Sequence, residues 1–280
     1  MRKFFHYIAH QIRKIRAVAI VTYKEWAAYR THSMVSIFVG PVYFLVQYCI
    51  WKAVYSAQGG AGAVINGMTL EQMLTYFGVN ALIGYLTMDF ADWNLQMLVR
   101  TGKFLTFALR PLDHKLFAFS QKLGHRVLGF FFEFLPCFLI FMFAFKIKLI
   151  PDHWILAIIS IALGFCMTFL VNYCIGLTAF WFVRAQGIRG VFQALQTVFN
   201  GSLIPLVFFG DNWQKVLFFL PFQYMLYVPS RVCTGSYELA GHTYELTQIV
   251  GIQSCAVLIF LGITCAMYKA AMKRFNGVGA

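Results

Sequence analysis

Carboxylates set among apolar residues are the positions from which chemistry would start in this sequence. Glu133 stands in GFFFEFLPC, and Asp89 and Asp92 stand in MDFADW. An ionisable side chain inside such a run is expensive and marks a functional candidate. Glu133 either meets a cationic substrate or pairs with a basic group on another helix. Asp89 and Asp92 suit interfacial caps or partners for Arg100 and Arg126. Asn172, in FLVNYC, can bond across helices, which is the commoner use of such an amide, or contribute to a substrate path with Glu133. Catalytic readings have thinner support: there is no GxxxxGK[ST], HExxH or GxSxG motif, and no carboxylate pair with a nearby His set for metal-assisted hydrolysis. The seven cysteines form no CxxC and no His/Cys cluster at ligand spacing, so they read as small apolar packers. Only Cys233 falls in an expected external segment, which leaves no intramolecular disulfide to expect.

These residues need elements to hold them, and composition says which. Of 280 residues 60% are hydrophobic and 12% charged, too little polar surface for a soluble globule of this size. About 20 apolar residues cross the hydrocarbon core, and candidate spans fall at about 33–56, 71–93, 116–145, 154–180, 190–210 and 247–268. Six spans return both termini to one side. The formal charge of +13 suggests nucleic acid until its placement is read. Of 23 lysines and arginines, all but Lys52, Lys146, Lys148, Lys215 and Arg231 fall on one face of that topology, which the positive-inside rule makes cytoplasmic. Topology therefore accounts for the charge, and no nucleic-acid partner is expected. The N-terminal stretch is studded with charges, unlike a cleavable signal.

The expected architecture is an all-α polytopic membrane protein. Residues 1–32 carry Phe5, Ile8, Ile12, Ile15, Ala19 and Trp26 at intervals of three, four or seven with basic residues off that stripe, the pattern of an amphipathic helix in the cytoplasmic headgroup layer or of one packed on a partner protein. Residues 33–268 form the six-helix domain, and 269–280 a basic tail. The loops SAQGGAGAVINGMT and KIKLIPDH are short connectors. Residues 205–232 are hydrophobic yet interrupted by Pro205, Gly210, Pro221 and Pro229, which suits two half-helices near 212–220 and 222–229. Such broken backbone at membrane depth must be buried or line a cavity. Re-entrant half-helices before the last span would close a pathway, with Pro205, Trp213, Pro221, Phe222 and Pro229 as the external gate; an interfacial loop anchored by Trp213, Tyr224 and Tyr227 is the alternative.

Between the second and third spans, residues 94–115 include RTGKFLTFALRPL. Leu105, Ala108, Leu109 and Leu112 fall on one helical face, stopped near Pro111. A short amphipathic helix held by two spans can fill a groove on a cytosolic partner and pass its movement to both; a basic loop on anionic headgroups also explains the charges.

With these features in order, the sequence resembles the ABC-2-type permeases, the six-span membrane subunits of type-2 ABC exporters. The resemblance covers essentially the whole chain and rests on the basic helix, the spans, the R-x-G-x-[FL] start at 100–104, L-R-P-L at 109–112, and LPF at 220–222. It implies that Arg100, Gly102, Lys103, Phe104, Leu109, Arg110 and Pro111 couple the membrane domain to a cytosolic nucleotide-binding ATPase. It also implies a second permease, identical or related, within membrane lipids of a bacterial inner membrane. The chain itself would bind no cofactor and be no enzyme; ATP and Mg would belong to the partner ATPase. The substrate expected is hydrophobic or amphipathic. A secondary transporter or channel without an ATPase is the alternative, favoured by repeated broken segments in the two halves, of which the sequence shows one.

Overall fold

The computed structural model describes residues 2–28, 37–60, 62–109, 113–182 and 185–275. The chain is essentially all-α. Helix α1 (Arg2–Ala28) is followed by α2 (Val39–Ala57), a small hairpin β1–β2 (Val64–Ile65, Met68–Thr69), α3 (Leu70–Thr87) and α4 (Ala91–Arg100). The turn α5 (Leu105–Ala108) leads to α6 (His114–Gly129), a π-helical turn (Phe130–Phe134), α7 (Leu135–Phe143) and α8 (Trp154–Leu177), which ends in a 3-10 turn (Thr178–Phe180). Then come α9 (Ala185–Phe199), a 3-10 turn (Leu206–Phe208), α10 (Asp211–Phe219), α11 (Phe222–Met225), α12 (Tyr227–Cys233), a second hairpin β3–β4 (Tyr237–Leu239, His242–Tyr244) and α13 (Leu246–Arg274). Among the described residues, three helical stretches are long and apolar enough to cross a membrane: His114–Phe143, Trp154–Phe180 and Leu246–Arg274.

Local chemistry sets the helix starts. Thr69 and Gln72 form a reciprocal capping box, Gln72 N–H donating to Thr69 Oγ1 at 3.3 Å and Thr69 N–H to Gln72 Oε1 at 2.9 Å. That satisfies two of the unpaired donors at the start of α3. Asp113 caps α6 by accepting from Lys115 N–H at 2.9 Å. Glu245 and Gln248 repeat the box at α13.

The core is built around α8. Ser160 donates to Gln253 Oε1 at 2.7 Å, and Cys174 Sγ lies 3.2 Å from Thr264 Oγ1, pinning α8 to α13 at two heights. On its other side α8 receives α11 and α12 at Gly164, where a Cβ would stand 2.9 Å from both the Met225 carbonyl oxygen and Pro229 Cγ. Hence only glycine lets that broken segment approach. One end of the bundle gathers α4, α5 and the ends of α8 and α13: Phe104 is fully buried against His114, Phe180 and Phe275, with ring centroids 5.0–5.3 Å apart. The opposite end gathers β1–β2, the start of α3, residues 148–152 and the end of α12.

Two spans and the broken segment differ from their sequence expectation. The second, expected at 71–93, stops at Thr87, and α4 turns across the end of α8. Asp89 Oδ1 accepts from Ala91 N–H at 3.3 Å to start α4, and Gly176 permits the crossing, since its Cβ would lie 3.0 Å from Leu95 Cβ. The fifth, expected at 190–210, ends at Phe199 because Gly201 takes φ +85° and Ser202 N–H bonds to Asn200 Oδ1. Its 15 residues span about 22 Å at 1.5 Å per residue, less than the hydrocarbon core. The broken region is three pieces rather than two, the second half-helix being split at Leu226 (φ −142°).

Candidate functional site

The basic segment begins where α4 ends. Gly102 takes φ +70°, a left-handed conformation that glycine adopts without steric cost, and its N–H returns to the Val99 carbonyl at 3.1 Å. Phe104 N–H then reaches the Leu98 carbonyl at 3.0 Å, so the chain reverses on the helix end. This reversal divides the segment. Phe104 points into the aromatic cluster and is 1% exposed, whereas Arg100 and Lys103 are exposed and Leu109 is 79% exposed. Phe104 is therefore an anchor, with Arg100, Lys103 and Leu109 displayed from it. Arg110 and Pro111, and Leu112 with them, lie outside the described residues.

Behind this segment lies a set of buried charges joined across the bundle. Arg189 Nε donates to Asp92 Oδ2 at 2.5 Å, and Gln193 Nε2 approaches the same oxygen at 3.4 Å. Asp92 is thus the tie between α4 and α9, and not a partner of Arg100, whose guanidinium instead meets Met97 Sδ at 3.0 Å. Asn172 Nδ2 donates to Asp89 Oδ2 at 3.4 Å, placing Asn172 against the break between α3 and α4. Lys122 reaches the Phe165 carbonyl at 2.8 Å and lies over the Phe165 ring at 4.1 Å.

Glu133 faces Arg126, with Arg126 Nη1 3.5 Å from Glu133 Oε2 and both side chains about 6% exposed. The partner expected on another helix is two turns away on the same segment. Pro136 explains the geometry. It cannot donate within the helix and its ring crowds the preceding turn, and the chain answers with an i→i+5 bond from Leu135 N–H to the Phe130 carbonyl. Such π turns recur where a helix is strained or functional. Arg126 also donates to the Tyr85 carbonyl at 2.5 Å, and the Tyr85 hydroxyl accepts from Gly40 N–H at 2.6 Å. One chain of contacts thus runs from the π turn through α6 and α3 to α2.

Helix α1 lies along α6. Gly124 makes room for it, as a Cβ there would stand 2.3 Å from the Ala19 carbonyl oxygen, and Trp26 meets the His125 ring at 4.1 Å. Thr22 is buried on this face while Ile12, placed on the apolar stripe by sequence, is exposed.

At the opposite end, the segment proposed as a gate is mostly interior. Phe222, Tyr224, Tyr227 and Pro229 are buried, and Gln253 Nε2 donates to the Tyr224 carbonyl at 3.0 Å. Part of the broken backbone here is satisfied by protein side chains, the Phe218 carbonyl accepting from Gln223 Nε2 and from the Tyr224 hydroxyl, each at 2.7 Å. Pro205 and Pro221 each stand at the start of a helical turn and Pro229 lies in the first turn of α12, positions where a missing N–H costs little. Trp213 and Phe219, on α10, are 59% and 83% exposed. Gln214 holds α10 to the second hairpin, donating to the Phe209 carbonyl at 2.6 Å and accepting from Ala240 N–H at 2.6 Å. Burial raises the Tyr237 phenol above its ordinary pKa; it stays protonated and donates to Gln223 Oε1 at 2.6 Å.

Fold and composition together define a helical membrane protein. Residues 42–279 match the family model described as ABC-2 family transporter protein, and the chain belongs to that family of membrane transport permeases. No curated protein and no solved structure shows significant similarity to it.

Proposed function

We propose that this chain is the membrane subunit of an ATP-driven exporter, crossing the membrane six times with both termini in the cytoplasm of a bacterial cell. It works with a second permease and two cytosolic ATPase subunits, which bind ATP and Mg. The supporting observation is the Gly102 reversal: it displays Arg100, Lys103 and Leu109 while Phe104 ties them to α6, the end of α8 and the end of α13. A push on that surface is delivered to three helices at once. Asp92–Arg189 carries it onward to α9. The α1 helix, braced on α6, lies at the same face with its remaining apolar residues in the headgroup layer. The aromatic interior suits a hydrophobic or amphipathic substrate, released past the segment 205–232.

A mild-detergent purification of the tagged protein from its native membrane tests this reading. The expected result is co-purification of a cytosolic protein bearing a phosphate-loop sequence, lost when residues 100–109 are replaced. A preparation free of ATPase under conditions that preserve known complexes would move the reading to a secondary transporter.

A further inference from the structure

Arg231 does no work in the coupling path, yet it is a buried cation outside any ion pair among the described residues. It sits in the last turn of α12 and is 8% exposed. Its Nη2 donates to Ser236 Oγ at 3.1 Å, its Nη1 meets only the weak acceptor Met68 Sδ at 3.9 Å, and its buried Nε has no acceptor among the described residues. No carboxylate lies within ion-pair distance among the described residues. A guanidinium taken out of water without a counter-charge is costly. The fold has not spent this arginine on a structural salt bridge.

It borders a cavity of about 210 Å³, whose wall also includes Lys148, Asp152, Glu71 and Ser236. Asp152 is engaged by Lys148 at 3.3 Å, and both are exposed at the mouth. Lys148 can turn inward without leaving a buried charge behind. Glu71, in the first turn of α3, is the one acidic wall residue outside an ion pair among the described residues, and it repels an anion placed beside Arg231. The planar fork of arginine matches phosphate oxygens, and a lysine adds a mobile second charge.

We propose that this cavity binds a phosphate group, held by Arg231 from within and Lys148 from the mouth. It deepens the exporter reading by naming the chemistry received at the end of the bundle opposite the coupling segment, either a lipid phosphodiester headgroup or soluble phosphate.

The test uses the full chain in dodecyl maltoside, titrated with inorganic phosphate and with dihexanoyl phosphatidylglycerol, with thermal unfolding as readout. Saturable stabilisation by a probe is expected, weakened at least tenfold in Arg231→Gln, tightened several-fold in Glu71→Gln, and unchanged in Lys103→Gln at the other end. Phosphatidylglycerol binding tenfold tighter than phosphate assigns the lipid headgroup; equal affinities assign the soluble ion. If Arg231→Gln does not fold, Glu71→Gln and Lys148→Gln decide, the second weakening binding. Absence of saturable binding by both probes, or affinities indifferent to these substitutions, overturns the proposal. Binding is read without an ATPase, so its outcome is separate from that of the co-purification.

Discussion

Arg126 and Glu133 face each other at 3.5 Å across a π-helical turn, and the same guanidinium holds the Tyr85 carbonyl. Removing one partner of a buried pair leaves an uncompensated charge, with a penalty of about 3–5 kcal/mol. Arg126→Ala is expected to destabilise the protein by that order, and Glu133→Gln by less, because the amide keeps a hydrogen-bonding oxygen. Unfolding in detergent with a double-mutant cycle measures both. A Glu133→Gln variant that keeps its stability but loses transport would instead place Glu133 in the substrate path.

Helix α1 owes its seat to one glycine. An added methyl at Gly124 meets backbone of Ala19, not a flexible side chain, so α1 must move. Gly124→Ala is expected to cost about 1–3 kcal/mol and to lower the yield of a disulfide engineered between α1 and α6 near Ala19, while α6 itself stays helical. An unchanged cross-link would mean that α1 is held from elsewhere.

The membrane class was readable because composition and apolar runs of about 20 residues are strong signals, whereas Gly102 stood out only as part of the R-x-G-x-[FL] resemblance and not as the site of a chain reversal. The π turn left only Pro136 as its trace, a residue that could equally have ended the helix. Asn66-Gly67 is a hairpin signal and indeed turns with φ +46° and +75°, although a glycine-rich stretch conceals it. Ala240-Gly241 makes the same turn with weaker sequence grounds. Asp92 and Arg189 stand 97 residues apart, and nothing local announces such a pair. Positions 71–93 read as one span because the Thr87–Ala91 break depends on Asp89 and on Gly176 of a distant helix.

The Asp92–Arg189 contact has a testable energy. Asp92 is almost fully buried and Arg189 about one quarter exposed, so screening is partial. A double-mutant cycle with Asp92→Asn and Arg189→Gln is expected to give a coupling of about 1–3 kcal/mol. Each single variant is also expected to lower transport more than ATPase association, since the link lies behind the displayed surface. Equal losses of both would show that the pair only shapes that surface.

Anchor and surface within residues 100–109 respond differently to substitution. Arg100→Glu with Lys103→Glu, and Leu109→Glu separately, alter exposed side chains and are expected to leave stability within about 0.5 kcal/mol. They should weaken ATPase association at least tenfold. Phe104→Ala removes a fully buried ring and is expected to lose about 3–5 kcal/mol, with association falling because the segment loses its seat. Binding of a purified ATPase to each variant, measured beside thermal unfolding, separates the two behaviours. Full association by the Arg100 and Lys103 reversal would return the segment to the role of a basic loop on anionic lipid.

The two ends of the bundle must lie on opposite sides of the membrane if both readings of function are right. Lys103 marks one end and Lys148 the other, and both side chains are exposed. In a background with all seven native cysteines replaced, Lys148→Cys is expected to react with a membrane-impermeant maleimide in intact cells. Lys103→Cys should react only after permeabilisation. Helix α10 sharpens the comparison, because Trp213 and Phe219 are exposed apolar residues flanking Lys215, an arrangement suited to the headgroup boundary. Lys215→Cys should therefore label from the same side as Lys148→Cys but more slowly. Labelling of Lys103→Cys in intact cells would invert the orientation, placing the displayed basic surface away from any cytosolic ATPase.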